Sequence, residues 1–281
     1  MTDVRVLRVF TRGSEGGNHL GVVEDAIHLD AAAMQSLASF LGYSETIFFD
    51  DTHVRIFTPT AEMPFAGHPI VGAAWTLGEG RDGASGTLTI EIGEVSYSIV
   101  DGVPWVTLRQ PGSVTEITSD RATPLDLPAP ERTWLVELPL PYLVMEYANV
   151  DDVASAKPDM AAMAALDPQV YIFAEGFDSV RARFFAPALG VDEDPATGSA
   201  AVALAAVRRA SGLAEGQYLI HQGAEIGWPC AINLHWSGDE VSIGGTVVEE
   251  PGRRGIEIAP TRSGRFERLW HRWRARRASN R

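Results

Sequence analysis

The chain has 281 residues, 45% of them hydrophobic and 21% charged, a net charge of −14 and one cysteine, Cys230. This is an ordinary globular composition for one large domain or two smaller ones. It argues against nucleic acid as a partner of the acidic body, excludes an internal disulfide and a Cys-rich zinc site, and has no apolar run long enough to cross a membrane. Charge is uneven: residues 261–281 hold eight Arg against one Glu. Phe266, Leu269, Trp270 and Trp273 recur there at helical spacing, so this basic tail is read as a solvated helix. The opening stretch MTDVRVLRVFTR lacks the apolar core of a signal peptide, and a cytoplasmic location is expected.

In chain order, Val4–Phe10 alternates as a strand, a loop follows at Gly13–Gly17, and Leu20–Val23 resumes an extended run. Asp30–Leu41 has helical periodicity with Asp30 as N-cap and Gly42 past its end. Ile47–Phe49 and His53–Thr58 are strands. Pro59–Phe65 is a loop, and Ala66-Gly67-His68-Pro69 opens an apolar helix ending at Gly78; Pro69 suits a first turn. Gly86–Val95, Tyr97–Val100 and Val103–Leu108 read as a meander with turns at Gly93 and Asp101-Gly102. Pro111–Pro130 lacks periodicity and is taken as the domain boundary.

The second half repeats the order. Trp134–Leu138 and Leu143–Tyr147 are strands, Asp159–Leu166 is helical, and Val170–Ala174 and Arg181–Phe185 are strands. Then comes DEDPATGSAAVALAA, residues 192–206: three acids, a proline, a small-residue turn and an all-apolar helix. Thr197 or Ser199 is expected to cap that helix, and its free amides and dipole suit an anion beside Asp194. Tyr218–Gln222, Ala231–Trp236, Val241–Gly244 and Thr246–Val248 finish the chain as strands. Arg55-Ile56-Phe57-Thr58-Pro59 matches Arg183-Phe184-Phe185-Ala186-Pro187, and each is followed by a loop, a Gly turn and a buried helix. An element order that occurs twice predicts two pseudo-symmetric α+β halves, residues 1–115 and 116–260, each a curved sheet around its own helix.

Several segments together carry a likeness to a known family: Gly17-Asn18 with Leu20-Gly21-Val22-Val23; Ser44-Glu45-Thr46; Glu62 and Ala66-Gly67-His68-Pro69 with Gly72-Ala73-Ala74; Glu193-Asp194-Pro195-Ala196-Thr197-Gly198-Ser199-Ala200; Gln222-Gly223 with Gly227 and Pro229; and Gly244-Gly245. Spread over residues 17–245, they resemble the phenazine-biosynthesis PhzF-like family, which shares the diaminopimelate-epimerase fold. The resemblance implies a cofactor-independent isomerase and a homodimer. Its active site would lie between two barrel-like halves and act on a small carboxylated substrate. It implies Glu45 as the catalytic acid and base, with His68 and Asp194 assisting. Asn18, Ser44, Gly67, Gly198 and Ser199 are then the substrate-contacting positions. Related epimerases use two Cys; a single Cys230 outside both motifs excludes that chemistry. The chain departs from the family at His19, where Pro is usual, and at Trp228 and Cys230, where the motif usually reads Gly-Arg-Pro-Ser. These departures bear on the substrate rather than the fold.

Read without the family, Glu45 is an unremarked carboxylate, His68 a helix-start polar residue, Asp194 a charge favouring its helix dipole, Ser199 a cap and Asn18 a turn former. His68 is expected neutral at pH 7, because a helix N-terminus disfavours imidazolium. No Walker loop, dinucleotide fingerprint, calcium loop or metal-spaced His set is present, and the one lysine, Lys157, precedes a proline. Two rival readings remain open at this point: a binding protein on the same fold, and a hydrolase in which Glu45 activates water.

Overall fold

A computed structural model describes residues 2–109, 112–251 and 254–256. The tail helix expected around Phe266–Trp273 lies outside the described residues. The fold is α+β and mostly strand. In the first half, β1 (Thr2–Val9) and β2 (Asn18–Val23) are antiparallel. Then α1 (Ala31–Leu41) crosses over to β3 (Glu45–Asp50), parallel to β2. Next come β4 (His53–Phe57), β5 (Glu62–Met63), helix α2 (Gly67–Leu77), and the meander β6 (Ser85–Ile90), β7 (Gly93–Val100) and β8 (Val103–Arg109). A parallel β4–β6 pairing joins the meander to the sheet.

The second half runs the same course. Strand β9 (Ser113–Ile117) leads to β10 (Arg132–Glu137) and β11 (Pro141–Tyr147), then helices α3 (Val150–Ser155) and α4 (Met160–Ala164). Strand β12 (Gln169–Glu175) is parallel to β11, as β3 is to β2. Strands β13 (Val180–Ala186) and β14 (Val191–Asp194) precede helix α5 (Gly198–Ala210). The meander is β15 (Glu215–Gln222), β16 (Cys230–Ser237) and β17 (Glu240–Gly244), entered through a parallel β13–β15 pairing. Short strands β18 (Val247–Glu249) and β19 (Arg254–Ile256) end the described chain. The halves are stitched in two ways: β8 pairs with β17, and β18 and β19 pair with β1.

Each half wraps its sheet around one helix, as the apolar runs predict. In α5 every residue from Gly198 to Arg208 is buried, and α2 is buried apart from Trp75 and Leu77. Both helices share one core cluster with the inward residues of both sheets, including Leu20, Ile47, Tyr142, Tyr171 and Ile243. The outer sheet faces are covered by the smaller helices. Met34, Leu37 and Ala38 of α1 pack on Val23, Phe48 and Phe57. Val153 and Met163, from α3 and α4, pack on Met145, Ile172 and Phe185. Strands covered on both faces read as unbroken apolar runs, which is why IFF and VYIF lack alternation.

Three local expectations fail. The hairpin expected at Gly93 turns at Glu91-Ile92 instead, and Gly93, at φ 122°, opens β7. The aperiodic 111–130 stretch contains β9 and a 3-10 turn at Ser119–Leu125, whose half-exposed, Thr-rich sequence carries no period. Thr197 stands at the N-cap of α5 but makes no capping bond, because its hydroxyl is taken by Asp194.

Candidate functional site

The starts of α2 and α5 meet head to head. A Cβ placed on Gly67 would lie 2.3 Å from Gly198 Cα and 2.4 Å from Ser199 N. Only two glycines let the helices approach this closely, so the Gly-His-Pro and Thr-Gly-Ser turns need Gly for contact rather than for loop freedom. Neither N-cap, Ala66 or Thr197, caps its helix with a side chain. First-turn amides of both helices therefore converge on one place, with both positive dipole ends, which favours an anion there.

Around this junction the fold gathers most of the expected residues. Asn18 opens β2, Ser44 just precedes β3 and Glu45 opens it, His68 lies in the first turn of α2, and Asp194 ends β14. Asn18, His68, Asp194 and Ser199 are buried. Asp194 is fully engaged. Its Oδ1 accepts from Asn18 Nδ2 at 2.8 Å and from Ser44 Oγ at 3.2 Å, and its Oδ2 accepts from Thr197 Oγ1 at 2.5 Å. Gln222 Nε2 holds the turn from behind, donating to the Asp194 main-chain oxygen at 2.7 Å and to Thr197 Oγ1 at 3.0 Å. Burial pushes the Asp194 carboxyl up to about 6, against the downward pull of its donors, Thr197 first.

Glu45 differs. Its side chain is 15% exposed, and its inner oxygen, Oε2, has no hydrogen bond although it lies 3.3 Å from His68 Nδ1. Burial first, and the nearby Asp194 charge second, push its carboxyl well above the usual range. His68 is neutral near pH 7: burial drives its pKa down to about 3. Neutrality was expected from the helix dipole; the larger cause is lost solvent. Asn18 Nδ2 lies 3.3 Å from His68 Nδ1 and can donate to it in the tautomer that keeps the proton on Nε2. His68 Nε2 is itself buried without a partner. The 3.3 Å Glu45–His68 approach is thus between two groups that both disfavour charge, not an ion pair.

Sequence reading missed two members. Tyr142, on β11, is hydrogen-bonded to Ser199; burial first, and the nearby Glu45 and Asp194 charges after it, push its hydroxyl above the usual range. Ser199 thus bonds a tyrosine rather than capping. Gln222 was seen in a matching segment but given no role. Aligning β11 onto β2 would have placed Tyr142 opposite Leu20, but Tyr in an apolar strand gives no signal by itself.

The two departures from the family pattern meet in space. The His19 ring lies 4.8 Å from Trp228, edge-on, and 5.7 Å from Tyr43, stacked. Each aromatic borders a site loop: His19 follows Asn18, Tyr43 precedes Ser44, and the Trp228 carbonyl packs within 2.3 Å of where a Gly223 Cβ would stand. Cys230 is buried, bonds the Trp228 carbonyl, and has its thiol pushed up to about 12 by burial, so it is not a thiolate. Among the described residues no cluster of His, Cys, Asp or Glu could hold a metal ion, and no helix is long and apolar enough to cross a membrane.

Comparison with known proteins agrees with this architecture. Trans-2,3-dihydro-3-hydroxyanthranilate isomerase of Pseudomonas chlororaphis is 32% identical, over 86% of this chain and 98% of its own. The protein of the same name from Pseudomonas aeruginosa is 34% identical, over 84% and 92%. The crystal structure of a Bacillus anthracis phenazine biosynthesis protein of the PhzF family superposes with a TM-score of 0.76. It is 22% identical and covers 91% of this chain and 99% of its own. The model of the PhzC-PhzF family, described as phenazine biosynthesis-like protein, matches residues 7–250. The chain therefore belongs to the PhzC-PhzF, phenazine biosynthesis-like family, and it is an isomerase.

Proposed function

We propose that this isomerase moves a proton between carbons of a small cyclic, unsaturated carboxylate, with Glu45 taking the proton from one carbon and returning it to another. The observation that carries the reading is the contrast between the two buried carboxyls. Asp194 has both oxygens occupied by donors and is an orienting group. Glu45 has a buried oxygen with no hydrogen bond and a carboxyl that burial holds well above the usual range, the direction that suits one carboxyl to act as base and then as acid.

The substrate carboxylate belongs at the paired helix starts, where the amides near Gly67 and Gly198 are uncapped. That contact also draws off negative charge as the carbanion delocalises into an enolate or dienolate. His68 sits beside Glu45 as a neutral imidazole and can pass or hold a proton without adding charge. Ser44, Asn18 and Thr197 fix Asp194, and Ser199 is held by Tyr142. Two relatives are named for trans-2,3-dihydro-3-hydroxyanthranilate, so a dihydro-hydroxyanthranilate is the first substrate to offer. A homodimer is part of the same proposal; sedimentation at the monomer mass removes it.

The test is NMR in deuterated water with that compound. Deuterium uptake or double-bond migration is expected with the wild type and not with Glu45→Gln, which should melt as the wild type does. Turnover retained in Glu45→Gln takes Glu45 out of the mechanism.

A further inference from the structure

The two-fold repeat assigns a partner to Glu45. In the first half, Glu45 opens β3 and stands in register with Leu20 of the parallel strand β2. In the second half, Gln169 opens β12 and stands in register with Tyr142 of the parallel strand β11. Gln169 is thus the counterpart of Glu45, with a carboxamide where the first half has a carboxyl.

Its setting points to a ligand. Gln169 is 6% exposed, yet its Oε1 has no hydrogen-bond partner. Residues in register on parallel strands face the same side of a sheet, so Gln169 shares the face of Tyr142. That is the α5 side: Tyr142, Val144, Tyr171 and Phe173 belong to the cluster containing α5, whereas Leu143, Met145, Val170 and Ile172 belong to the cluster behind the sheet. Tyr142 in turn bonds Ser199 and feels the charges of Glu45 and Asp194. The Gln169 side chain therefore leaves β12 on the face that carries Tyr142, the second-half side of the site. A buried acceptor left unpaired is costly, and an apolar residue would remove that cost, so its presence calls for a donor that arrives with the ligand. A carboxylate at this place would add a third buried negative group beside two already held above their usual range. A carboxamide accepts the same hydrogen bond without charge.

We propose that Gln169 is a substrate-binding residue, whose Oε1 accepts a hydrogen bond from an amino or hydroxyl substituent of the carboxylate held at the helix starts. This rests on the substrate position proposed above, and it deepens it by one requirement: the ligand carries an N–H or O–H donor on the side away from Glu45. It also leaves Glu45 as the one proton-exchanging carboxyl of the symmetric pair.

The test reads binding, not turnover, so it stands apart from the role of Glu45. Calorimetric titrations use 3-hydroxyanthranilate, which has both donors, and benzoate, which has neither. The wild type and Glu45→Gln should both prefer 3-hydroxyanthranilate, by roughly 10–100-fold. The nearly isosteric Gln169→Met should lose that preference while binding benzoate as before. It should melt at or above the wild-type temperature, because an unpaired acceptor is gone; Gln169→Leu serves as a second apolar replacement. A preference kept in both variants overturns the proposal. So does equal weakening of both ligands together with a lower melting temperature, which would make Gln169 structural.

Discussion

Arg55 and Arg183 occupy the same place in the two halves and share two contacts. Each guanidinium forms a two-pronged bridge to a glutamate near the following loop, Glu62 or Glu193, and each stacks on a phenylalanine two residues on, at 5.1 Å from Phe57 and 5.0 Å from Phe185. Five residues beyond each glutamate comes the glycine that starts the central helix, Gly67 or Gly198. The framework is therefore duplicated down to side chains, but the chemistry is not. Glu45 has Gln169 as its counterpart. Asp194 corresponds to Met63, since these residues pair with Phe184 and Ile56 in the equivalent ladders. His68 corresponds to Ser199 as the second residue of its helix. On the mechanism proposed above, the first half brings the proton-handling groups, and the second brings the orienting carboxylate and neutral hydrogen-bonding groups. A symmetric scaffold with an asymmetric set of side chains suits a one-base proton shift better than a two-base epimerisation, which needs an acid and a base on opposite sides.

The comparison can be tested from its strongest contrast downward. Glu45→Gln should slow substrate deuterium exchange by about 10²–10⁴-fold, whereas Gln169→Met should change the maximal rate by less than about 10-fold and act mainly through KM. Equal losses in kcat would erase the distinction between the two sides. Gly67→Ala should be worse than Gly198→Ala. The first Cβ would meet backbone at 2.3–2.4 Å, the second the Ile243 side chain at 2.8 Å and backbone at 2.9 Å. Denaturant unfolding should show a loss of about 3 kcal/mol against about 1–2 kcal/mol. Two equally mild losses would mean that the helices part easily.

A third contrast uses the duplicated ion pairs. Arg183 and Glu193 have side chains 8% and 11% exposed, and Arg183 also donates to the Val153 and Ala156 carbonyls. Arg55 and Glu62 are 29% and 35% exposed. Glu193→Ala should cost about 3 kcal/mol, because it leaves a buried guanidinium short of its anion, and Glu62→Ala about 1 kcal/mol or less. Matching values would show that burial does not separate the two pairs.

The last contrast is a pH dependence. Asp194 sits at about 6 when folded, against an ordinary 3.8. A carboxyl raised in this way favours the folded state most fully below about pH 4, and that contribution is lost as pH rises through 6. His68 runs the other way: lowered to about 3, it costs stability as pH falls below its ordinary 6.5. His68 is common to both proteins, so the difference between wild type and Asp194→Asn reports the Asp194 carboxyl together with the part of the Glu45 shift that its charge causes. Between pH 4 and 6.5 the wild type should lose roughly 2–3 kcal/mol relative to the variant. Parallel melting curves across that range would mean that Asp194 is not held above its usual pKa.

Much of this was legible in the chain. The all-apolar runs after Gly67 and Gly198 specify buried helices, since such a segment has no face to offer water. The repeated Arg-x-Phe strand and the Gly turns mark the two copies. The Asp30 N-cap and the Gly42 stop of α1 appear where local rules put them, with Asp30 accepting from the Ala33 amide and Gly42 at φ 67°. Local patterns succeed here because capping and burial periodicity act within one or two turns of chain.

What the chain alone did not reveal depends on contacts between distant segments. Thr197 is a good cap by local rules, but a carboxylate three residues back competes for its hydroxyl and wins. Tyr142 and Gln169 look like ordinary strand residues until strand register sets one beside Ser199 and the other opposite Glu45 in the repeat. His19 and Trp228 are separate oddities in sequence and one aromatic cluster in space. The identity of the helices and strands came from short-range chemistry in the sequence. Which polar atoms are paired and which are left free for a ligand was decided only by tertiary packing, because burial and hydrogen-bond satisfaction are properties of neighbours that the chain order does not record.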